Sequence, residues 1–231
     1  MPHETGVEAQ HCAPAAFQLF NEALRELHTT PGLVRAAIAV SLHAFDDVVP
    51  EHVEGDLQNL ALRVMARCRS GQPAARLAHL HEVLFEEVKF VGNVDNYYLA
   101  LNSYLPVVLR SRCGLPILLA LVYKAVGEQV GLQIEGLNTP GHFLARVHTD
   151  EGWQIIDPFY SGQALSPAEA FRRIEQVAGR KLTYDERYFE PASHALWLSR
   201  LITNLQAVFA AEGRQIDYAA MMELQQALAS V

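Results

Sequence analysis

Residues 116–130 constrain this chain more than any other segment. Ile117, Leu118, Leu119, Leu121, Val122, Ala125 and Val126 leave Tyr123 and Lys124 as the polar interruptions, which predicts a helix that is apolar nearly all round. Such a helix is stable only when other elements enclose it. Pro116 suits the first helical position, and Gly131 suits the left-handed residue that follows a helix end. The run is far short of the roughly 20 apolar residues that span a bilayer, so it belongs in a protein core. With 231 residues, 50% of them hydrophobic, the chain is long enough to build that enclosure as one large domain, alone or with an appendage.

The segments on either side supply the enclosure. Upstream, apolar residues recur at helical spacing. Phe17, Phe20, Leu24 and Leu27 share one face, and Thr30-Pro31 offers an N-cap followed by proline at the first position of a second helix, which runs to about Phe45. After Asp46, Asp47 and Pro50, a third stripe of Val53, Leu57, Leu60 and Val64 reaches the Ser70-Gly71-Gln72-Pro73 turn, and a fourth helix turns Leu77, Leu80 and Leu84 inward. Periodicity fails over residues 90–103, where Gly92, Asn93, Asp95, Asn96 and Asn102 predict an ordered loop. A short helix near residues 104–109 then leads to Arg112-Cys113-Gly114-Leu115-Pro116.

Downstream, the period switches to two over 133–137, 143–147 and 153–156, the pattern of an antiparallel sheet with its hairpin turn at Asp150-Glu151-Gly152. Ser166-Pro167-Ala168-Glu169 is a capping box that starts a helix running toward Gly179. Leu198, Leu201, Leu205 and Val208 pattern one further helix, and after Gly213 the residues Tyr218, Met222 and Leu228 pattern another. The expected organisation is α+β: a flexible N-terminus (1–14), a helical region (15–112), a core of buried helix on antiparallel sheet (113–190), and a helical hairpin (191–231) docked on it. One hairpin cannot form a solenoid, since each repeat needs neighbours to bury its face.

A net charge of −8 leaves no basic stripe for a phosphate backbone, which argues against nucleic acid and anionic membrane as partners. Cys12, Cys68 and Cys113 are odd in number and widely spaced, suiting neither a disulfide framework nor a metal knuckle. Met1-Pro2-His3-Glu4 opens with no basic segment and no apolar stretch of a signal peptide, so a reducing, cytoplasmic setting is expected.

One pair of residues is placed for chemistry. His142 follows Pro140-Gly141 at the start of one strand, and Asp157 precedes Pro158 at the end of the next. An even-length turn puts them on one face, directly opposite or one diagonal step apart. A carboxylate so placed fixes the tautomer and orientation of an imidazole, which is the base-and-orienter half of a nucleophilic triad. It equally describes a structural histidine tied to an acid across a hairpin, the commoner case. Two such ligands are too few for a metal site, and no cofactor is expected.

At this point the residues resemble a family. Leu84-Phe85-Glu86-Glu87, Phe90-x-Gly92-Asn93, Asn102-Ser103-Tyr104-Leu105, Arg112-x-Gly114-Leu115-Pro116-Ile117, Pro140-Gly141-His142-Phe143-Leu144-x-Arg146 and Asp157-Pro158-Phe159 are similar to blocks of the bacterial SirB-type proteins, in the same order and spacing. Those proteins have a transglutaminase-like core and a tetratricopeptide-repeat tail, whose start Leu198-x-Arg200-Leu201-x-x-Asn204-Leu205 resembles. The resemblance implies a papain-like arrangement, in which a cysteine on the first turn of the central helix faces a histidine and an aspartate on the sheet. In this chain that turn reads Pro116-Ile117-Leu118, without Cys, Ser or Thr, a replacement the resemblance itself implies.

Cys113 stands three residues before Pro116, outside the helix. It is either a packed thiol without chemistry or a displaced nucleophile that Gly114 lets turn inward. Two functions follow. The first is a non-catalytic module that binds a protein partner through a cleft bordered by the 90–103 loop and His142 and lined by Asn93, Tyr97, Asn102, Pro116 and Phe143. Tyr97 and Tyr98 also fit the role of packing anchors. The second is a cysteine-dependent acyltransferase or amidase using Cys113, His142 and Asp157. A regulatory or scaffolding subunit with a vestigial cleft is the remaining possibility.

Overall fold

The computed structural model describes residues 9–231. The apolar run forms a helix, Pro116–Gln129, in which every residue from Pro116 to Gly127 is buried. Gly131 follows it at φ +81°, the left-handed backbone that terminates helices at low cost. Lys124 stays buried because its ammonium has partners: Nζ donates to the Ile134 carbonyl at 2.6 Å and pairs with Glu128.

The chain begins, among the described residues, with α1 (Pro14–Leu24), α2 (Thr30–Leu42), α3 (Pro50–Met65) and α4 (Pro73–His81). The N-cap of α2 is Thr29, not Thr30. Thr29 Oγ1 accepts from Gly32 N at 3.1 Å, which sets the helix start one residue earlier than the Thr30-Pro31 pair suggests and puts Pro31 at the second position. The α3 stripe faces inward as its spacing predicts, with Val53, Leu57, Leu60 and Val64 buried. The fourth helix does not end at His81 but widens into a π-helical turn, Glu82–Glu87, which keeps Leu84 buried. After β1 (Val91–Gly92) come a 3₁₀ turn at Ala100–Ser103, α5 (Leu105–Ser111), β2 (Cys113–Gly114) and α6 (Pro116–Gln129). The 90–103 loop is therefore less irregular than its composition implies, since β1 pairs in parallel with β2, Val91 beside Cys113 and Gly92 beside Gly114.

Beneath α6 lies an antiparallel sheet in the order β3 (Gln133–Thr139), β4 (His142–Thr149), β5 (Gly152–Asp157), β6 (Gln163–Leu165). The last strand, three residues long, carries too few residues for period-two alternation to reveal it. Alternation gives the sheet two buried faces. Ile134, Phe143, Ala145, Val147 and Ile156 join the main core around α6, while Leu137, Leu144 and Leu165 form a smaller cluster with Ala170 of α7 (Pro167–Ala178). The α7 capping box forms as the sequence predicts, and Gly179 ends the helix at φ +65°.

The chain finishes with α8 (His194–Glu212) and α9 (Gln215–Leu228), separated at Gly213. This hairpin packs on the core: Trp197 Nε1 donates to the Ile117 carbonyl at 3.2 Å, and its ring lies 4.6 Å from Phe143. A Cβ on Gly136 would fall 2.3 Å from that indole, so the approach requires glycine. Along α9 the inward residues are Ala220, Met221, Leu224 and Leu228, not Tyr218 and Met222, which are exposed. The adjacent methionines leave the phase ambiguous in sequence. The expected flexible terminus lies outside the described residues up to position 8. From residue 10 the backbone is tied to α9, as Gln10, His11 and Cys12 donate their N–H groups to the Glu223 carboxylate.

Candidate functional site

Two turns build the His142–Asp157 pair. Gly141, at φ +70°, closes the tight turn that pairs Thr139 with His142 and starts β4. The Asp150-Glu151 turn pairs Thr149 with Gly152 and, further up the ladder, Ala145 with Ile156. Continued by one step, that register sets Asp157 opposite Leu144, so His142 lies one diagonal step away on the same face. The side chains meet: His142 Nε2 is 3.0 Å from Asp157 Oδ2 and 3.1 Å from Oδ1.

Asp157 holds more than the imidazole. Oδ1 caps the 3₁₀ turn Pro158–Tyr160, accepting from Phe159 N at 3.1 Å and Tyr160 N at 3.4 Å, while Arg173 of α7 donates Nη1 to Oδ2 at 2.8 Å. Arg173 also donates to Gln163 at 2.8 Å, and its guanidinium stacks 3.9 Å above the Tyr160 ring. A carboxylate only accepts, so the Nε2 that faces it is the ring nitrogen that donates, and this holds the imidazole in one orientation. The arrangement is an oriented base. It is also closed, with His142 1% exposed and Asp157 0%. Phe159 packs edge-on to the imidazole at 5.7 Å, and Tyr160 lies tilted at 6.2 Å.

At the entrance to α6, Leu115 occupies the N-cap without a side-chain bond, and the first turn presents Pro116, Ile117 and Leu118, all buried. Leu115 N donates instead to the Asn102 carbonyl at 3.2 Å. The helix tip therefore offers no oxygen or sulfur side chain to a substrate. Cys113 is half-buried in β2, held through its backbone by Ser111. Burial pushes its thiol pKa up, a backbone bond with Gly114 offsets part of that, and Asp95 adds to the rise. An activated cysteine requires the opposite environment, one that stabilises thiolate.

The remaining cleft residues divide into two groups. Asn93 and Asn102 stand together and brace the 90–103 loop: Asn93 Nδ2 donates to Asn102 Oδ1 at 2.9 Å, and Asn102 Nδ2 donates to the carbonyls of Asn96 at 2.6 Å and Tyr97 at 3.1 Å. Tyr97 is half-buried with its ring 6.0 Å from Phe159, and burial raises its pKa despite the opposing charge of Arg200. Pro116 is buried, and Phe143 is a core residue against Trp197 rather than a cleft wall. Strand alternation sends its side chain to the face opposite His142.

Arg173 is the member of the His142–Asp157 cluster that sequence reasoning missed. Its signal was indirect. The α7 capping box fixes the helix start, Ala170 and Ile174 mark the buried stripe, and Arg173 lies one turn beyond Ala170 at the stripe's edge.

Known proteins place this geometry in context. A family model described as the transglutaminase-like superfamily matches residues 51–203. A UPF0162 protein of Xylella fastidiosa is 34% identical over 142 residues, covering 60% of this chain and 50% of that protein. The UPF0162 protein of Pseudomonas aeruginosa is 26% identical over 186 residues, covering 80% of this chain and 68% of its own length. F-box only protein 21 of Mus musculus is 33% identical over 147 residues, 60% of this chain and 22% of that protein. The chain spans about half the length of the Xylella relative, and less than a quarter of the mouse one. No solved structure matches it at a comparable level.

Proposed function

Because this chain belongs to the transglutaminase-like superfamily and its central helix starts on buried proline and aliphatic carbon, we propose that it is a non-catalytic transglutaminase-like module that binds another protein. The observation that carries the reading is that first turn, Pro116-Ile117-Leu118, where acyl transfer in a papain-like arrangement needs a thiol. His142 and Asp157 then serve as a structural pair that fixes the β4–β5 hairpin to α7 through Arg173. The matched segment is a minor part of F-box only protein 21, which fits a module carried within a larger chain.

The finer assignment is to the SirB-type branch. The α8–α9 hairpin, two helices joined at Gly213, is the counterpart of a first tetratricopeptide-like unit, here seated on the core through Trp197. The proposed setting is the cytoplasm, where Cys12, Cys68 and Cys113 stay free thiols. The fold-level likeness is an analogy, and the apolar helix tip is what distinguishes this reading from an enzyme.

Amine incorporation into a glutamine-bearing protein and hydrolysis of a glutamine anilide test the proposal. The expected result is no turnover above that of Cys113→Ala. Turnover abolished by both Cys113→Ala and His142→Ala would establish the cysteine-dependent acyltransferase instead.

A further inference from the structure

The 90–103 loop combines a hydrogen-bonded interior with exposed apolar side chains. Its interior is locked. Besides the Asn93–Asn102 bond and the two carbonyls held by Asn102, Asn96 N donates to Asn93 Oδ1 at 3.1 Å, Asn93 N donates to the Gly114 carbonyl at 3.1 Å, and β1 pairs with β2. Its exterior is largely apolar, with Asp95 and Asn96 the exposed polar residues among it. Val91, Val94, Tyr98, Leu99 and Leu101 are all exposed, Val94 at 64% and Tyr98 at 82%. Large apolar side chains grouped on one short exposed segment mark an interaction surface, and a loop already fixed in shape loses little conformational entropy on binding.

The charges beside the loop say what kind of partner fits. Lys89, Arg110 and Arg112 are exposed, and among the described residues none of them makes an ion pair. Lys89 and Arg112 enter β1 and β2 at the same end of the two-strand ladder, and Val91 N donates to the Arg112 carbonyl at 3.0 Å. Both adopt left-handed backbone, φ +66° and +61°, where glycine would be free of strain and these long cationic side chains are not. In a chain of net charge −8, these three cations on the segments flanking the loop outnumber the one carboxylate within it, Asp95, which is a local reversal.

Resting on the binding-module reading above, we propose that this loop docks an extended partner segment that alternates or flanks apolar side chains with acidic ones. Apolar residues of the partner pack on Val94, Tyr98, Leu99 and Leu101, and its carboxylates meet Lys89, Arg110 and Arg112. The tyrosine supplies a large contact area at low rotamer cost, and the cations set direction and partner choice.

A displayed library of random 16-residue peptides, panned on the full chain, tests this directly. Two comparison proteins accompany it: Tyr98→Ser/Leu99→Ser, and Lys89→Glu/Arg110→Glu. All four positions are exposed, so both variants are expected to melt with the wild type. Enriched peptides are expected to be acidic and rich in aromatic or aliphatic residues. Their affinity should fall at least tenfold on the apolar variant and at least tenfold on the charge-reversed one. Enrichment without acidic excess, equal binding to either variant, or no enrichment overturns the assignment. None of those results bears on whether the chain is catalytic, which the turnover assay decides separately.

Discussion

Asp157 accepts from His142, from Arg173 and from two backbone N–H groups while almost wholly shielded from water. Removing one partner of a buried charged network leaves the others uncompensated, which costs more than a neutral hydrogen bond. His142→Ala should therefore destabilise the chain by about 1–3 kcal/mol, and Asp157→Ala by about 3–5 kcal/mol, measured by urea denaturation. Unchanged midpoints in both variants would mean that the pair does not hold the hairpin. A second buried histidine yields a pH prediction. His81 Nε2 hydrogen-bonds the Tyr123 hydroxyl at 2.9 Å, and burial pushes its pKa from 6.5 down to about 4. The unfolded chain then binds more protons than the folded one between those values, so stability falls as pH drops through that window. His81→Gln should flatten this fall by an amount on the order of 3 kcal/mol, and parallel stability curves for the two proteins would contradict it.

Single elements owe their placement to close approaches that few residues permit. A Cβ on Gly92 would lie 2.4 Å from the Phe159 ring, the ring that also covers His142. Gly92→Ala should displace Phe159 and cost roughly 1–3 kcal/mol, with His142 proton resonances shifted. A variant as stable as the wild type would show that β1 and the 3₁₀ turn are not in contact as described. The same elements show what sequence can and cannot convey. The buried α6 helix, the α3 stripe and the α7 capping box were legible because periodicity and cap chemistry are local. So was the His142–Asp157 pair, since turn length alone fixes which face a strand residue occupies. The π-helical turn at Glu82–Glu87, the short β6 and the inward phase of α9 were not, because each is settled by what it packs against. Phe143 was misplaced for a related reason: adjacency to His142 in sequence means the opposite face in a strand.

Across the whole molecule, α9 fastens residues 10–12. Glu223 of α9 accepts N–H groups from Gln10, His11 and Cys12 at 2.9–3.0 Å, and His43 at the end of α2 bonds Asp217 at 3.0 Å. Burial works to raise the Glu223 pKa, but the bonds from Cys12, His11 and Gln10 outweigh it and hold the carboxyl below its ordinary value. Its contribution is present at neutral pH and is lost as pH falls below the ordinary glutamate range and the carboxyl protonates. Glu223→Gln should speed amide exchange at residues 10–12 while leaving α6 protected; uniform acceleration, or none, would contradict a local clasp. Cys113 is the thiol that the oriented His142 imidazole would have to activate, so its reactivity decides whether the cluster is catalytic. The rate of Cys113 alkylation by iodoacetamide, followed against pH in a Cys12→Ser/Cys68→Ser background, is predicted to match an ordinary or less reactive thiol and to be the same when His142 is alanine. Rapid labelling near neutral pH that disappears in His142→Ala would contradict the account.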